Sequence, residues 1–221
     1  MRGLYAIVDT KLLATRKTEP VAYARAILAA RPAALQLRAK DWPAREILRL
    51  LRALGPLCRN AGVPLVANDR ADLAALAGCD VVHIGQEDLP FDLVHRIAPQ
   101  LGVGISTHDA AQLDRALASR PSYVAYGPVF PTASKANPDP VVGIDGLRDA
   151  SVTARRAGIP LVAIGGITLS AARDLAPLAD ACAVIGDLFP EGATLSDVSE
   201  RARQFHHLLG GTERAPLEAR A

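Results

Sequence analysis

Short apolar runs alternate with longer segments of helical periodicity along most of the chain. The runs are rich in β-branched residues, and they lack the alternation of apolar and polar positions that marks a half-exposed strand. Runs of this kind are typical of parallel strands that are buried on both faces. The sequence predicts eight such strands, at residues 4–8, 34–37, 64–67, 81–84, 103–105, 123–125, 160–164 and 181–185.

Helical patterns fill the intervals between these runs. In the segment 44–58, Ile47, Leu51 and Leu54 belong to one apolar stripe at helical spacing. Asp41 is predicted to cap this helix, and Pro43 suits its first turn. The other helices are predicted at residues 21–30, 72–76, 93–100, 110–119 with Asp109 as its cap, 147–157 with Gly158 at its end, 170–175 and 195–209.

Eight strand–helix units in a chain of 221 residues predict an α/β protein, a single-domain (β/α)8 TIM barrel near the lower end of its size range, about 200 residues. A doubly wound open sheet is the alternative, but it usually has about five or six strands. The barrel is assigned to residues 1–209. Residues 210–221 lack periodicity, and they are predicted to form a disordered C-terminal tail.

Composition and charge narrow the classes of partner. A net charge of +2 and an aromatic content of 4% argue against a nucleic-acid-binding surface, which needs clustered positive charge and stacking side chains. No apolar run reaches the roughly 18 residues of a membrane-spanning helix. The three cysteines are scattered and form no Cys-x-x-Cys pair, so we expect a reducing, cytoplasmic location. Small-molecule substrates are the expected partners, and the sequence leaves the formation of a homo-oligomer open.

Polar side chains collect where the predicted strands end, and in a parallel barrel that edge carries the chemistry. Gln36, Arg38 and Lys40 alternate along an extended segment, so period-two geometry directs all three toward the barrel interior. Two cations in a partly closed site require an anion, because an unpaired buried charge is costly. The alternative is that Arg38 and Lys40 reach solvent, but the alternation favours a phosphate-binding role.

Two carboxylates in neighbouring loops are candidate metal ligands. Asp69 follows the third predicted strand, and Asp88 follows the fourth. Mg²⁺ commonly binds one or two carboxylates together with phosphate oxygens and water, so this pair predicts a Mg²⁺ site. Both residues also precede helical patterns, and helix capping is therefore the alternative for each.

Two further segments offer phosphate ligands. Thr132, Ser134 and Lys135 follow the sixth strand, and their hydroxyls and amine suit phosphate oxygens, although a solvated loop is the alternative. Gly165-Gly166 and Gly186 follow the seventh and eighth strands, where backbone N–H groups of (β/α)8 barrels often bind phosphate. A tight turn is the alternative for these glycines. Arg38, Lys40 and Lys135, with a Mg²⁺ ion, suit a departing pyrophosphate, and the glycine nest suits a monophosphate.

Five motifs carry a resemblance to a known family. They are Gln36-Leu37-Arg38-Ala39-Lys40, Asn68-Asp69-Arg70, the segment 82–88 (VHIGQED), the segment 104–108 (GISTH) and the segment 127–135 (GPVFPTASK). In this order they resemble the thiamine phosphate synthase family, from Leu4 to about Leu188.

The resemblance implies a (β/α)8 transferase with two phosphorylated substrates. It would join 4-amino-5-hydroxymethyl-2-methylpyrimidine pyrophosphate to 4-methyl-5-(2-phosphoethyl)thiazole, giving thiamine phosphate and pyrophosphate. Pyrophosphate would leave first, and the thiazole nitrogen would attack the resulting cation. For the pyrophosphate, the resemblance implies Arg38, Lys40, Asn68, Ser106 and Lys135, and all of these except Asn68 would be catalytic. Asp69 and Asp88 would bind Mg²⁺, and Gln36 would contact the pyrimidine. The thiazole phosphate would be bound by Thr132, Ser134, Gly165, Gly166 and Gly186.

The sequence departs from the family pattern at two places. Ser134 stands where the family often has Thr, which keeps the hydroxyl. Gly186-Asp187 replaces a Ser followed by a small residue, so a hydroxyl is lost, and Asp187 would repel phosphate unless it points away. Two alternatives stay open: a relative resembling a thiazole tautomerase, which needs no pyrophosphate site, and a non-catalytic barrel that binds a phosphorylated ligand.

Overall fold

The sheet closes into a barrel of eight parallel strands that follow one another in chain order. The computed structural model describes residues 1–132 and 139–212. Strand β1 pairs with both β2 and β8, which closes the barrel and confirms the predicted (β/α)8 fold. The strands are β1 (Gly3–Asp9), β2 (Ala34–Arg38), β3 (Leu65–Asn68), β4 (Val81–Ile84), β5 (Gly102–Thr107), β6 (Tyr123–Tyr126), β7 (Leu161–Ala163) and β8 (Ala181–Val184).

Helices follow the strands and cover the outside of the barrel. They are α1 (Thr10–Thr15), α2 (Pro20–Leu28), α3 (Ala44–Ala61), α4 (Ala71–Ala77), α5 (Phe91–Ile97), α6 (Ala110–Ala118), α7 (Gly143–Ala157), α8 (Ala172–Leu175) and α9 (Leu195–Leu208), with a 3₁₀ turn at Gly186–Leu188. The sequence analysis missed α1 and the 3₁₀ turn, because segments of six and three residues are too short to show a period of about 3.6 residues. Among the described residues, no helix is long and apolar enough to cross a membrane.

The predicted helix ends are right in two cases and wrong in one. Asp109 accepts a hydrogen bond from the backbone N–H of Gln112 at 2.7 Å and caps α6, as predicted. Gly158 ends α7 in the left-handed conformation, also as predicted. Asp41 does not cap α3, because the N-cap position is Pro43 and no side chain caps it.

Apolar side chains form two layers, one inside the barrel and one between the strands and the helices. Both faces of each strand are therefore covered, which explains why the strands appear in the sequence as continuous apolar runs. The inner layer is small and mixes alanines with two tyrosines. Its buried members are Tyr5, Ile7, Ala34, Val66, Tyr123, Ala125, Val162, Ala181 and Ala183.

Gly104 makes room for the largest side chain of the inner layer. In the strand register it lies between His83 on β4 and Tyr123 on β6. A Cβ atom at position 104 would lie 2.0 Å from Cζ of Tyr123, far inside van der Waals contact. The rings of His83 and Tyr123 stack, with centroids 5.7 Å apart and planes 11° apart. The glycine is therefore required by the close approach of these rings.

Gly104→Ala is expected to destabilise the barrel, because the ring of Tyr123 is enclosed and has no free volume into which to move. Overpacking of a close-packed core typically costs about 1–3 kcal/mol. Urea denaturation of the purified protein measures the free energy of unfolding. Gly55→Ala in α3 is the control, since its Cβ would meet only the flexible end of Arg59. Equal stability of Gly104→Ala and the native chain would contradict the packing argument.

Candidate active site

A buried ion pair fixes Arg38 at the carboxyl end of β2. Asp9 ends β1 opposite Arg38 in the strand register, and its Oδ2 atom lies 2.5 Å from Nη1 of Arg38. The same carboxylate accepts a hydrogen bond from the N–H of Leu12 at 2.9 Å, which begins α1. Asp9 is only 5% exposed. The guanidinium is thus oriented at the rim, and its other N–H groups remain to bind an anion.

Gln36 points into the barrel, as the period-two alternation predicts. It is 2% exposed, and its Nε2 donates to the hydroxyl of Tyr5 at 2.9 Å. Lys40 lies beyond the end of the strand, where its Nζ is 3.4 Å from Oδ2 of Asp69. Lys40, Asn68 and Asp69 line one cavity of about 170 Å³, which is also bordered by Ile47 and Leu51 of α3. The structure therefore brings Lys40 together with two of the other predicted site residues.

The two predicted metal ligands converge. Burial and the charge of Asp88 raise the pKa of Asp69, while the charge of Lys40 lowers it, so the side chains of the two aspartates are neighbours. Asp69 has a left-handed backbone, with φ of 63°, and Oδ2 of Asp88 accepts from the N–H of Gly85 at 2.6 Å. Neither residue caps the helix that follows it, since the N-cap positions are Arg70 and Pro90. The capping alternative is therefore wrong.

This carboxylate pair fits a Mg²⁺ ion that also binds substrate. The charge of Asp88 is one of the causes that raise the pKa of Asp69, so the two carboxylates lie close enough to repel one another, and a divalent cation would relieve that repulsion. In the part of the chain that the structure describes, no group of three or more His, Cys, Asp or Glu side chains could hold a metal ion. Mg²⁺ needs only one or two carboxylates where phosphate oxygens and water complete its coordination.

Both the side chain and the backbone carbonyl of Ser106 have hydrogen-bond partners. Its Oγ atom lies 2.8 Å from Nε2 of His83, and its carbonyl accepts from Nε2 of Gln86 at 2.6 Å. Asn68, at the end of β3, pairs with His83 in the strand register. Ser106 is 7% exposed, so its hydroxyl lies inside the barrel and close to the rim.

The glycine pair after β7 packs against the loop after β6. Gly165 and Gly166 have φ of 90° and 65°, and a Cβ on Gly166 would lie 2.4 Å from the carbonyl oxygen of Pro131. The tight-turn alternative is therefore sufficient to explain why these residues are glycines, and phosphate binding by their N–H groups stays a prediction. Because Thr132 directly follows Pro131, its backbone nitrogen lies near this turn. Ser134 and Lys135 lie outside the described residues.

Gly186 and Asp187 behave differently from one another. A Cβ at Gly186 would meet no atom within 4 Å, so packing does not require a glycine there. Asp187 has two partners for its Oδ2 atom. This oxygen lies 2.6 Å from Nη2 of Arg201 and accepts a hydrogen bond from the N–H of Leu169 at 2.7 Å. Its charge is paired with that of Arg201 on α9, which answers the concern that Asp187 would repel phosphate.

His108 joins the loops after β5 and β6. Its Nδ1 lies 2.5 Å from the carbonyl oxygen of Gly127, and its Nε2 lies 3.4 Å from Oδ2 of Asp139. Gly127 and Asp139 flank the segment 128–138, so the imidazole contacts both ends of it. The side chain of His108 is 8% exposed, and it acts as a support at the rim.

Sequence reasoning missed four residues that the structure places among the predicted ones: Tyr5, Asp9, His83 and Tyr123. Asp9 carried a usable signal, because it ends its strand as Arg38 and Asn68 end theirs. The two tyrosines carried none, since a tyrosine in an apolar run looks like any other buried aromatic residue. His83 lies within the motif 82–88, but the resemblance implies no role for it.

Comparisons with known proteins agree on one family. The family model described as thiamine monophosphate synthase matches residues 4–188. A thiamine-phosphate synthase of Koribacter versatilis is 42% identical over 214 residues, which cover 93% of this chain and 95% of the relative. A thiamine-phosphate synthase of a Roseiflexus species is 40% identical over 182 residues, 76% of each chain.

A solved structure gives the same result. The thiamine phosphate pyrophosphorylase from Pyrococcus furiosus superposes with a TM-score of 0.80 at 30% identity, covering 94% of this chain and 95% of its own. The similarity therefore extends over the whole barrel and includes the rim on which the carboxylates and cations converge.

Asp69→Asn is expected to raise the free energy of unfolding at pH 7 when a chelator removes divalent ions. Because the folded state raises the pKa of Asp69, ionisation costs stability as pH rises above the ordinary value for aspartate. An asparagine removes that charge and tolerates the left-handed backbone. The exposed ion pair with Lys40 contributes little to stability.

Urea denaturation at pH 7 and at acidic pH measures this difference. The gain should disappear at acidic pH, where Asp69 is protonated in the native protein. Added Mg²⁺ should stabilise the native protein by mass action and leave the variant unchanged. A variant that is less stable than the native protein at pH 7 in chelator would contradict the assigned repulsion.

Proposed function

We propose that this chain, which belongs to the thiamine monophosphate synthase family, makes thiamine phosphate by departure of pyrophosphate before the thiazole nitrogen attacks. The chain is a transferase that condenses 4-amino-5-hydroxymethyl-2-methylpyrimidine pyrophosphate with 4-methyl-5-(2-phosphoethyl)thiazole, and thiamine phosphate and pyrophosphate are the products. The observation that carries the proposed mechanism is the clustering of Lys40, Asp69 and Asp88 at the barrel edge where the strands of Arg38 and Ser106 also end.

The pyrophosphate is proposed to bind over the strands β2 to β5. Arg38 is held by Asp9 with its free N–H groups at the rim, and Lys40 is half-exposed beside Asp69. Asn68 and the hydroxyl of Ser106 supply neutral donors, and Lys135, which lies outside the described residues, is proposed as a further ligand. Positive charge and donors fixed in this way stabilise the charge that develops on a leaving group.

Asp69 and Asp88 are the residues that would hold Mg²⁺. When bound, the ion supplies positive charge to the pyrophosphate oxygens. The bond that breaks joins the pyrimidine methylene carbon to a pyrophosphate oxygen, and the electron pair leaves with that oxygen. The thiazole nitrogen then donates its lone pair to the methylene carbon, so the step requires no general base.

Gln36 is proposed to contact the pyrimidine ring. Its amide nitrogen is occupied by Tyr5 inside the barrel, which leaves the amide carbonyl oxygen to accept a hydrogen bond from the amino group of the substrate. Thr132, Ser134, Gly165, Gly166 and Gly186 are proposed to bind the thiazole phosphate. The supporting observation is the open space at Gly186, where packing does not require a glycine.

An assay with both substrates and Mg²⁺ tests this mechanism against its alternatives. We expect repeated turnovers that release pyrophosphate only when Mg²⁺ and both substrates are present. A relative resembling a thiazole tautomerase would convert the thiazole alone, and it has no need of the cations and carboxylates assembled here. Binding of both ligands without release of pyrophosphate would indicate a non-catalytic binder.

The three cysteines bear on the location of the protein. Cys58, Cys79 and Cys182 are free and buried, and burial raises the pKa of each thiol to about 12. Such thiols are unreactive and suit a reducing compartment, so we propose a cytoplasmic location. Formation of a homo-oligomer stays a prediction, which light scattering of the purified protein would test.

Lys135→Ala and Asp69→Asn are each expected to lower turnover about a hundredfold, because each removes a contact of roughly 3 kcal/mol to the departing pyrophosphate. Single-turnover release of pyrophosphate at saturating substrates measures the effect. Asp114→Asn is the control, since Asp114 is an exposed carboxylate on α6. Wild-type turnover in both Lys135→Ala and Asp69→Asn would contradict the roles assigned to these residues.

Gly186→Ser is expected to lower the KM for the thiazole phosphate by roughly tenfold, the usual effect of one hydrogen bond to a charged group. The open space around Gly186 allows a side chain to be added there without displacing a neighbour. Gly186→Ala is the matched control, because it changes the backbone in the same way and adds no hydroxyl. Equal KM values for the two variants would place the phosphate elsewhere.

A further inference from the structure

A chain of hydrogen bonds crosses the barrel interior and joins two of the proposed substrate-binding residues. Nε2 of Gln36 donates to the hydroxyl of Tyr5 at 2.9 Å, and this hydroxyl lies 2.7 Å from that of Tyr123. The hydroxyl of Tyr123 lies 2.9 Å from Nδ1 of His83, whose Nε2 lies 2.8 Å from Oγ of Ser106. The five residues come from strands β1, β2, β4, β5 and β6.

The chemistry of Gln36 sets the direction of donation along this chain. An amide nitrogen can only donate, so the oxygen of Tyr5 accepts from Gln36. The hydrogen of Tyr5 is then left for the oxygen of Tyr123, and the hydrogen of Tyr123 for Nδ1 of His83. Burial raises the pKa of both tyrosines far above the ordinary range, so both keep their protons and can donate.

We propose that His83 is a positioning residue, held as the Nε2–H tautomer by Tyr123 so that it donates to Oγ of Ser106. The hydroxyl hydrogen of Ser106 is then left to donate to an oxygen of the departing pyrophosphate. This inference rests on the function proposed above and adds one property to that site. The orientation of the Ser106 hydroxyl is thus set by Gln36, at the other end of the chain of hydrogen bonds.

The packing keeps the chain in place. Tyr5 and Tyr123 are each 1% exposed, and their rings meet edge to face at 5.8 Å. The ring of His83 stacks on that of Tyr123 over Gly104, which leaves the imidazole little freedom to rotate. A histidine that accepts at one nitrogen and donates at the other has a single tautomer as long as both partners stay fixed.

The opposite direction of hydrogen-bond donation does not fit the amide nitrogen of Gln36. If Ser106 donated to His83, Nδ1 of His83 would donate to Tyr123, and Tyr123 to Tyr5. The hydrogen of Tyr5 would then face the amide nitrogen of Gln36, which offers no lone pair. The two directions therefore predict opposite tautomers of His83.

¹⁵N NMR of the histidine rings in the native protein at neutral pH distinguishes the two tautomers. We expect an unprotonated Nδ1 and a protonated Nε2 for His83, whose signals are assigned by their loss in His83→Asn. In Tyr123→Phe the acceptor Nδ1 loses its donor, so a mixture of tautomers is expected. A protonated Nδ1 in the native protein would overturn the proposal.

Tyr23→Phe is the matched control for this measurement. Tyr23 is another fully buried tyrosine, and its hydroxyl has no hydrogen-bond partner among the described residues. We expect Tyr23→Phe to leave the tautomer of His83 unchanged. A shift of equal size in both variants would show that loss of any buried hydroxyl disturbs the ring, and this result would also overturn the proposal.

Two histidine variants test whether His83 acts through Ser106. A glutamine places its amide nitrogen near the position of Nε2 and can still donate to Ser106, whereas an asparagine is too short to do so. We expect His83→Asn to lower kcat for pyrophosphate release roughly tenfold, as for loss of one oriented hydrogen bond. His83→Gln should recover most of that loss, and the KM for the thiazole phosphate should change little in both.

A double-mutant cycle with Ser106→Ala completes the test. If His83 acts only by orienting the serine hydroxyl, His83→Asn should cause no further loss of kcat in the Ser106→Ala background. An equal loss in both backgrounds would overturn the positioning role. The function itself would fail in a different way, because the native protein would then release no pyrophosphate while the NMR result on His83 could still hold.

Discussion

Closure of the sheet between β1 and β8 is the constraint on which the other features depend. Once the barrel is closed, each strand is buried on both faces, and the eight carboxyl ends form a single rim. Polar residues that are far apart in the sequence then become neighbours, as Asp9 and Arg38 do. A polar group that enters the interior needs a partner there, because the inner layer is almost completely buried.

The rim satisfies this requirement with pairs of opposite charge. Arg38 is paired with Asp9, Lys40 with Asp69, and Arg201 with Asp187. Below the rim, the inner layer meets the same requirement with hydrogen bonds: two tyrosines, a histidine, a glutamine and a serine bond to one another. The charged pairs thus lie at the edge where phosphorylated substrates arrive, while the interior holds a connected set of donors and acceptors.

The sequence predicted the architecture well, because apolar continuity and helical periodicity are local signals. Strand β4 has the predicted bounds, and the convergence of Asp69 and Asp88 follows from their places after neighbouring strands. The hydrogen bonds inside the barrel could not be predicted, since Tyr5 and Tyr123 are separated by 118 positions and no local pattern links them. The pairing of Asp187 with Arg201 was equally hidden, because one lies after β8 and the other on the last helix.

That last pairing joins the terminal helix to the side of the barrel next to Gly186. Arg201 contacts both the side chain and the backbone carbonyl of Asp187, and Asp187 in turn holds the N–H of Leu169. Positions 187 and 201 therefore belong together in protein engineering. A small residue introduced at 187 alone leaves Arg201 without its carboxylate partner, and a replacement of α9 that lacks the arginine leaves Asp187 without its cationic partner. A chimera between relatives should exchange both positions together.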